Sequence, residues 1–232
     1  MSELEQKIGF NIISLGGSLI FPEEIDTGFV KSFIDFIKEE VREGKRYIII
    51  TGGGKIARKY QKATSEIGDY SNEDIDWIGI QATIINANFL RILLKDLAHP
   101  NVIINPFEAG DIKKPVVIAG GWKPGWSTDY DAVELAKIFG AKKIANLSNI
   151  DYAYDKDPKV FPDAKKIEKI SWAEFRKIIP EKWAPGLNSP FDPMAAKNAE
   201  EAGIEVAILN GKNLENLKNY FNDVSFRGTV IK

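Results

Sequence analysis

The chain has 232 residues, 44% of them hydrophobic and 28% charged, which excludes a disordered polymer and leaves room for one large domain or two small ones. Its 31 basic and 33 acidic side chains leave a formal net charge of -2, so no global basic field argues for nucleic acid as a partner. With no Cys and a single His, disulfides, thiolate catalysis and zinc–thiolate sites are excluded, and Ser-His-Asp chemistry nearly so. His99, ahead of Pro100 at a helix end, reads as a solvated cap. A metal in such a chain is a hard ion held by oxygen, such as Mg²⁺.

Met1 to Lys7 is polar and mixed in charge, and no apolar signal stretch follows it. Apolar runs are far too short to span a bilayer. The expectation is a cytoplasmic protein with no membrane partner.

In chain order, Ile8–Leu15 reads as a strand. Thr27–Glu43 reads as a helix with Val30, Phe33, Ile34, Ile37 and Val41 on one stripe, stopped by Gly44. Tyr47–Ile50 is continuously apolar, as in a strand covered on both faces. Gly54–Ile67 is helical in pattern, and Asp74–Leu97 predicts a long, apolar, buried helix. Val102–Ile104 and Pro115–Ala119 are short strand candidates. Ser127–Gly140 is a helix with Ala132, Leu135, Ala136 and Phe139 inward, and Lys143–Leu147 a strand. Tyr154–Ile170 is polar and irregular. Ser171–Ile179 predicts a short helix, with Ser171 and Glu174 spaced as a capping box. Asp192–Ala202 is a helix with Asp192 as cap and Pro193 at its first position. Ile204–Leu209 is a strand and Leu214–Phe221 a helix. The alternation predicts an α/β fold with a mainly parallel central sheet.

Glycine clusters follow the strands. Gly16-Gly17-Ser18, Gly52-Gly53-Gly54 and Gly120-Gly121 each sit at a predicted strand's carboxyl end, where open α/β sheets bind ligands. Glycine lets backbone approach a phosphate, and the next helix N-terminus offers N–H donors. One such turn is explained by sterics alone; several on one edge are better explained by phosphorylated ligands. No Walker-type G-x-x-x-x-G-K-[ST] is present. Gly52 to Ala57 matches the dinucleotide pattern G-x-G-x-x-A, but no acidic residue ends a following strand ~20 residues on. Beside the turns lie Arg58, Lys123, Thr128, Asp129, Asn149, Asp151, Asp155 and Asp157. Each reads singly as a cap or solvated charge. Together they offer what phosphoryl transfer needs: cations and N–H donors for phosphates, carboxylates for substrate or Mg²⁺, and no covalent nucleophile.

Ile13 to Leu19, Thr51 to Gly54 with Ala57-Arg58-Lys59-Tyr60, and Asn149-Ile150-Asp151 leading to Tyr154-Asp155-Lys156-Asp157-Pro158 resemble the amino-acid kinase superfamily. Asp76 to Gln81 with Asn86, the loop Gly120 to Asp129, and Phe191 to Lys197 resemble the archaeal-type UMP kinases within it. The similarity runs from Ile12 to about Leu209, and the order of the motifs makes it specific. The resemblance implies a three-layer αβα sandwich spanning 1–232 as one domain. Residues of about 1–140 would form the acceptor-binding half, and about 141–232 the ATP-binding half. It implies ATP contacts at Gly17, Ser18, Gly54, Arg58, Ser148, Asn149, Tyr154 and Asp157. Acceptor contacts fall at Gly53, Asp76, Trp122, Lys123, Pro124, Gly125, Trp126, Ser127 and Thr128. Lys123, Arg58 and Asp129 are the candidate catalytic groups, and no dedicated protein metal site is expected. It further implies Mg²⁺ with ATP, UMP as acceptor, and a homo-oligomer, a hexamer in similar proteins.

Two departures stand out. Many superfamily members carry Lys on the first strand where this chain has Ser14, and Tyr152 replaces a Gly in the loop near the nucleotide. Trp122 and Trp126 are bulky for an acceptor loop; they could stack on a base or mark another acceptor. The alternatives are a same-fold kinase for another small phosphate or carboxylate, and a nucleotide-binding or storage protein without catalysis.

Overall fold

In the computed structural model, residues 9–110, 112–158, 160–181 and 189–232 are described; Ile8 and the Met1–Lys7 stretch lie outside them. Strand β1 (Phe10–Leu15) pairs in parallel with β2 (Arg46–Thr51) on one side and β4 (Lys143–Ser148) on the other. Adding β3 (Val116–Ala119), β8 (Glu205–Asn210), β9 (Thr229–Ile231) and β7 (Lys169–Ile170) completes a seven-stranded sheet in the order β3-β2-β1-β4-β8-β9-β7. All neighbours from β3 to β8 run parallel, and only β9 is antiparallel, to β8. The pair β5 (Ala153–Tyr154) and β6 (Lys166–Ile167) stands apart.

Strand alternation builds the layers. Ile12, Ile48, Ile50 and Ile144 face α5 (Thr128–Phe139), α6 (Trp172–Ile178) and α7 (Pro193–Ala202). Ile13, Leu15, Tyr47 and Ile49 face α2 (Thr27–Arg42), α4 (Asn72–Leu93) and α8 (Leu214–Phe221). A four-residue helix α1 (Gly17–Ile20) and α3 (Gly54–Ile67) cover the sheet's carboxyl edge. The result is a three-layer αβα sandwich, and its sheet is continuous across the two halves expected from the sequence. Helix starts follow side-chain chemistry: Asp26 caps α2, Ser127 caps α5 and Asp192 caps α7, while Ser71 and Ser171 form capping boxes on α4 and α6. Behind the sheet, the buried Glu40 carboxylate accepts from Lys45 at 2.6 Å and from the Tyr47 hydroxyl at 2.8 Å, and Lys218 lies 3.2 Å away.

Several sequence expectations change. Helix α4 ends at Leu93, and it is not buried all round: Trp77, Ile85 and Ile92 are 43%, 59% and 57% exposed. Its apolar composition marks two faces, one on the sheet and one outward. Val102–Ile104 forms no strand, only an isolated bridge from Ile103 to Ala119. The irregular Tyr154–Ile170 contributes the short strands β5 to β7. Strand β9 went unread because three residues are too few to show a period. Among the described residues, no helix is long and apolar enough to cross a membrane.

Candidate functional site

Sheet order places the site. Strands β1, β2 and β3 proceed one way from the centre and β4, β8 the other. The order reverses between β1 and β4, and at such a switch point the loops leaving the carboxyl ends splay apart into a crevice. Gly16 and Gly17 leave β1 there, and Ser148 ends β4.

These turns touch by backbone. Gly16 N–H donates to Leu147 O at 2.8 Å, Gly211 N–H to Ser148 O at 2.9 Å and Gly52 N–H to Leu15 O at 2.9 Å. A Cβ on Gly17 would lie 2.1 Å from the Gly54 nitrogen and 2.4 Å from Gly52 O, so any side chain there would separate the first two glycine turns. Gly54 takes φ +67, the left-handed region in which glycine carries no steric penalty. Asn86 on α4 fastens the second turn from behind, donating to Gly52 O at 2.8 Å. Ser18 is half-buried beside Gly17, and Arg58 is exposed one turn into α3.

The third glycine cluster opens a loop that crosses from β3 to α5. Lys123-Pro124-Gly125-Trp126 closes with a Trp126 N–H to Lys123 O bond of 3.2 Å, and Gly125 at φ +83 fits the third position of a type II turn after Pro124. Gly121 N–H donates to the Thr83 hydroxyl at 2.7 Å, Trp122 N–H to Asp131 Oδ2 at 3.1 Å, and Gly125 N–H to Asp76 Oδ2 at 2.7 Å. The rings of Phe107, Trp122, Trp126 and Tyr130 form an edge-to-face ladder with centroid spacings of 5.3, 4.7 and 4.1 Å. The Lys123 ammonium rests against it, 4.1 Å from the Trp122 ring centre and 4.6 Å from that of Trp126.

Asp129, in the first turn of α5, joins loop to sheet. Ser14 and Asn146 are register partners on β1 and β4, and both lie on the face toward α5. The Ser14 hydroxyl donates to Asp129 Oδ1 at 2.9 Å and the Asn146 amide donates to the same oxygen at 2.8 Å. Asp192 N–H donates to Oδ2 at 3.2 Å. Burial, with the nearby Asp192 carboxylate, outweighs these donors and pushes its pKa up to about 7. Burial likewise raises Asp131, to about 8, and Asp76, each opposed by the loop N–H it accepts.

In the segment after β4, Asn149 and Asp157 are exposed and Tyr154 is half-buried. The Asp151 carboxylate there accepts from the Asn210 amide at 3.0 Å, and the Tyr152 ring lies against Lys166, 4.9 Å from its ammonium. The structure thus gathers Gly17, Gly54 and Ser148 at one crevice, and Asp76, the 122–128 loop and Asp129 at its flank.

Residues 9–210 match the profile of the Amino acid kinase family. This chain belongs to the amino acid kinase family. Among curated relatives, the uridylate kinase of Staphylothermus marinus is 36% identical over 204 residues, 87% of this chain and 89% of that one. That of Thermococcus kodakarensis is 32% identical over 225 residues, 95% and 98% of the two chains. The crystal structure of uridylate kinase from Archaeoglobus fulgidus superposes with a TM-score of 0.81 at 31% identity, covering 96% of this chain and all of that one. The UMP kinase of Bacillus anthracis shares the fold at 21% identity and a TM-score of 0.76.

Some residues of this amino acid kinase's site were not legible as such. Asn146 sits mid-strand in Ile144-Ala145-Asn146-Leu147, and a polar residue in an otherwise apolar buried strand was the available signal. Asp131, fully buried inside α5, reads in sequence as an ordinary first-turn acid. Asp192 reads as a cap, which it is, while its N–H also serves Asp129.

Proposed function

We propose that this amino acid kinase transfers the γ-phosphoryl group of ATP to UMP, giving ADP and UDP. The observation that carries the reading is the meeting of glycine turns at the switch point, where the bare backbone of Gly17 lies against that of Gly54 beside a carboxylate-anchored loop. Proteins named uridylate kinase, similar along nearly the full chain, support UMP as the acceptor.

ATP is assigned to these glycine turns. Its phosphates need close-approaching N–H groups, and the Gly17–Gly54 contact leaves no side chain in the way. The nucleotide contacts assigned are Gly17, Ser18, Gly54, Arg58, Ser148, Asn149, Tyr154 and Asp157; UMP takes Gly53, Asp76 and the loop from Trp122 to Thr128. Mg²⁺ accompanies ATP and neutralises phosphate charge. The ATP phosphate oxygens are hard ligands suited to that ion.

The protein's own contribution is positioning and charge. Arg58 supplies a fixed cation at the phosphate end of α3. Lys123 supplies a second one, after a change of rotamer takes its ammonium off the indoles. Asp129 orients Ser14 and Asn146 at the crevice floor. A self-associating assembly is supported by the outward apolar face of α4 around Ile85 and Ile92.

A second reading, a nucleotide-binding protein without turnover, is favoured by Ser14, which can donate one hydrogen bond but cannot neutralise charge. Coupled ADP release with UMP, CMP, dUMP and acetylglutamate decides. ADP formed fastest with UMP is the expected result; ATP binding without ADP release from any acceptor favours the binder.

A further inference from the structure

Two carboxylates on different helices grip the loop between β3 and α5. Asp76 reaches from α4 to Gly125 N–H at 2.7 Å, and Asp131 reaches from α5 to Trp122 N–H at 3.1 Å. The two bonds lie at either end of the Trp122-Lys123-Pro124-Gly125 stretch that the proposed reaction assigns to the acceptor. Asp76 was expected there from the sequence; Asp131 was not.

Asp131 suits the first turn of α5 by its charge but not by its burial. It is fully buried, its Oδ1 has no partner among the described residues, and Glu134, Asp129 and Asp192 around it are acidic. A Val or Ala at this inward position would cost nothing in desolvation. Asp131 Oδ1 makes no hydrogen bond among the described residues, and its Oδ2 accepts from Trp122 N–H, the contact that ties α5 to the loop. That N–H, part-buried at the root of the aromatic ladder that carries Lys123, would otherwise lose its carboxyl partner.

The geometry points to Asp131 as a positioning residue for the acceptor: it fixes the start of the loop, as Asp76 fixes its turn, so that the acceptor meets a preformed surface. This rests on the acceptor assignment of the loop above. A loop already held in its binding conformation spares the acceptor the ordering cost. Loss of the clamp therefore weakens acceptor binding and leaves the ATP crevice, built from other turns, untouched.

The test compares Asp131→Val with Asp131→Asn by steady-state kinetics in the full-length chain. Asp131→Val should raise KM for UMP about tenfold, the scale of one net hydrogen bond, with KM for ATP within about twofold of wild type. Asp131→Asn, whose amide oxygen can still accept from Trp122 N–H, should restore KM for UMP to within about threefold. A merely structural role would lower the melting temperature without this split. An unchanged KM for UMP in folded Asp131→Val, or Asp131→Asn impaired as much as Asp131→Val, overturns the proposal. Should Asp131→Val not fold, amide exchange on the wild-type chain decides. Trp122 and Gly125 N–H groups protected together support the clamp, and Trp122 exchanging like an open peptide overturns it. Exchange needs no acceptor, so a wild-type chain that releases no ADP with UMP defeats the functional reading separately.

Discussion

Ser14 and Asn146 face one another across the β1–β4 register and donate to the same oxygen of Asp129, at 2.9 and 2.8 Å. Many superfamily members place a lysine ammonium at the first of these positions. Here two neutral donors hold the carboxylate, and burial with the nearby Asp192 carboxylate outweighs them, so that its pKa stands at about 7. Asn146→Leu keeps the side chain's size and removes the donor. It should lower kcat by about 10- to 100-fold, the range for hydrogen bonds to charged groups, with smaller changes in either KM. Steady-state kinetics check this, and an unchanged kcat would remove Asn146 from the site.

The division between the two substrate sites has its own signature. Asp76→Ala removes the α4 carboxylate that holds the acceptor loop at Gly125 N–H and should raise KM for UMP at least about tenfold while leaving KM for ATP nearly unchanged. Arg58→Ala should do the reverse, through loss of a charge-assisted phosphate contact. Equal effects of both changes on both substrates would dissolve the division.

Lys123 lies against Trp122 and Trp126, at 4.1 and 4.6 Å from their ring centres. If its ammonium leaves the indoles to meet the migrating phosphoryl group, Lys123→Met should lower kcat by about 10²- to 10³-fold, as removing an oxyanion donor does. Methionine preserves most of the length and the apolar contact with the rings. Near-normal turnover with only a small rise in KM for UMP would leave Lys123 as a support for the ladder.

Asp129 and Asp131 also set a pH dependence of folding. Both carboxyls are raised by burial, from an ordinary 3.8 to about 7 and about 8. The folded chain therefore keeps protons that the unfolded chain has released. Stability is highest below the unfolded value and is lost as pH rises toward the folded values, by at most about 1.4 kcal/mol per pH unit for each group. Thermal melts should show a falling transition temperature between about pH 5 and about pH 8. Asp131→Asn should flatten the curve, and a wild-type curve that rises across this window would contradict the sign.

The sequence by itself determined the order of the longer helices and of strands β1 to β4 and β8, and the chemistry of the turns. Apolar runs such as Tyr47–Ile50 and stripes such as Val30, Phe33 and Ile37 carry their period locally, and Ser171 with Glu174 or Asp192 with Pro193 announce a helix start within one turn. Lys123-Pro124-Gly125-Trp126 likewise fixes its own turn, because proline presets one angle and glycine accepts the other. Only the tertiary structure decided what meets at long range. Ser14 reaches Asp129 across 115 positions and Asp76 reaches Gly125 across 49, and no local period encodes such partners. They depend on strand order, which brings β1 beside β4, and on side-chain parity, which turns Ser14 and Asn146 toward α5. The same limit explains α4. Its composition reads as buried, but which face the sheet covers, and so which leaves Ile85 and Ile92 outside, follows from packing that the helix alone does not specify.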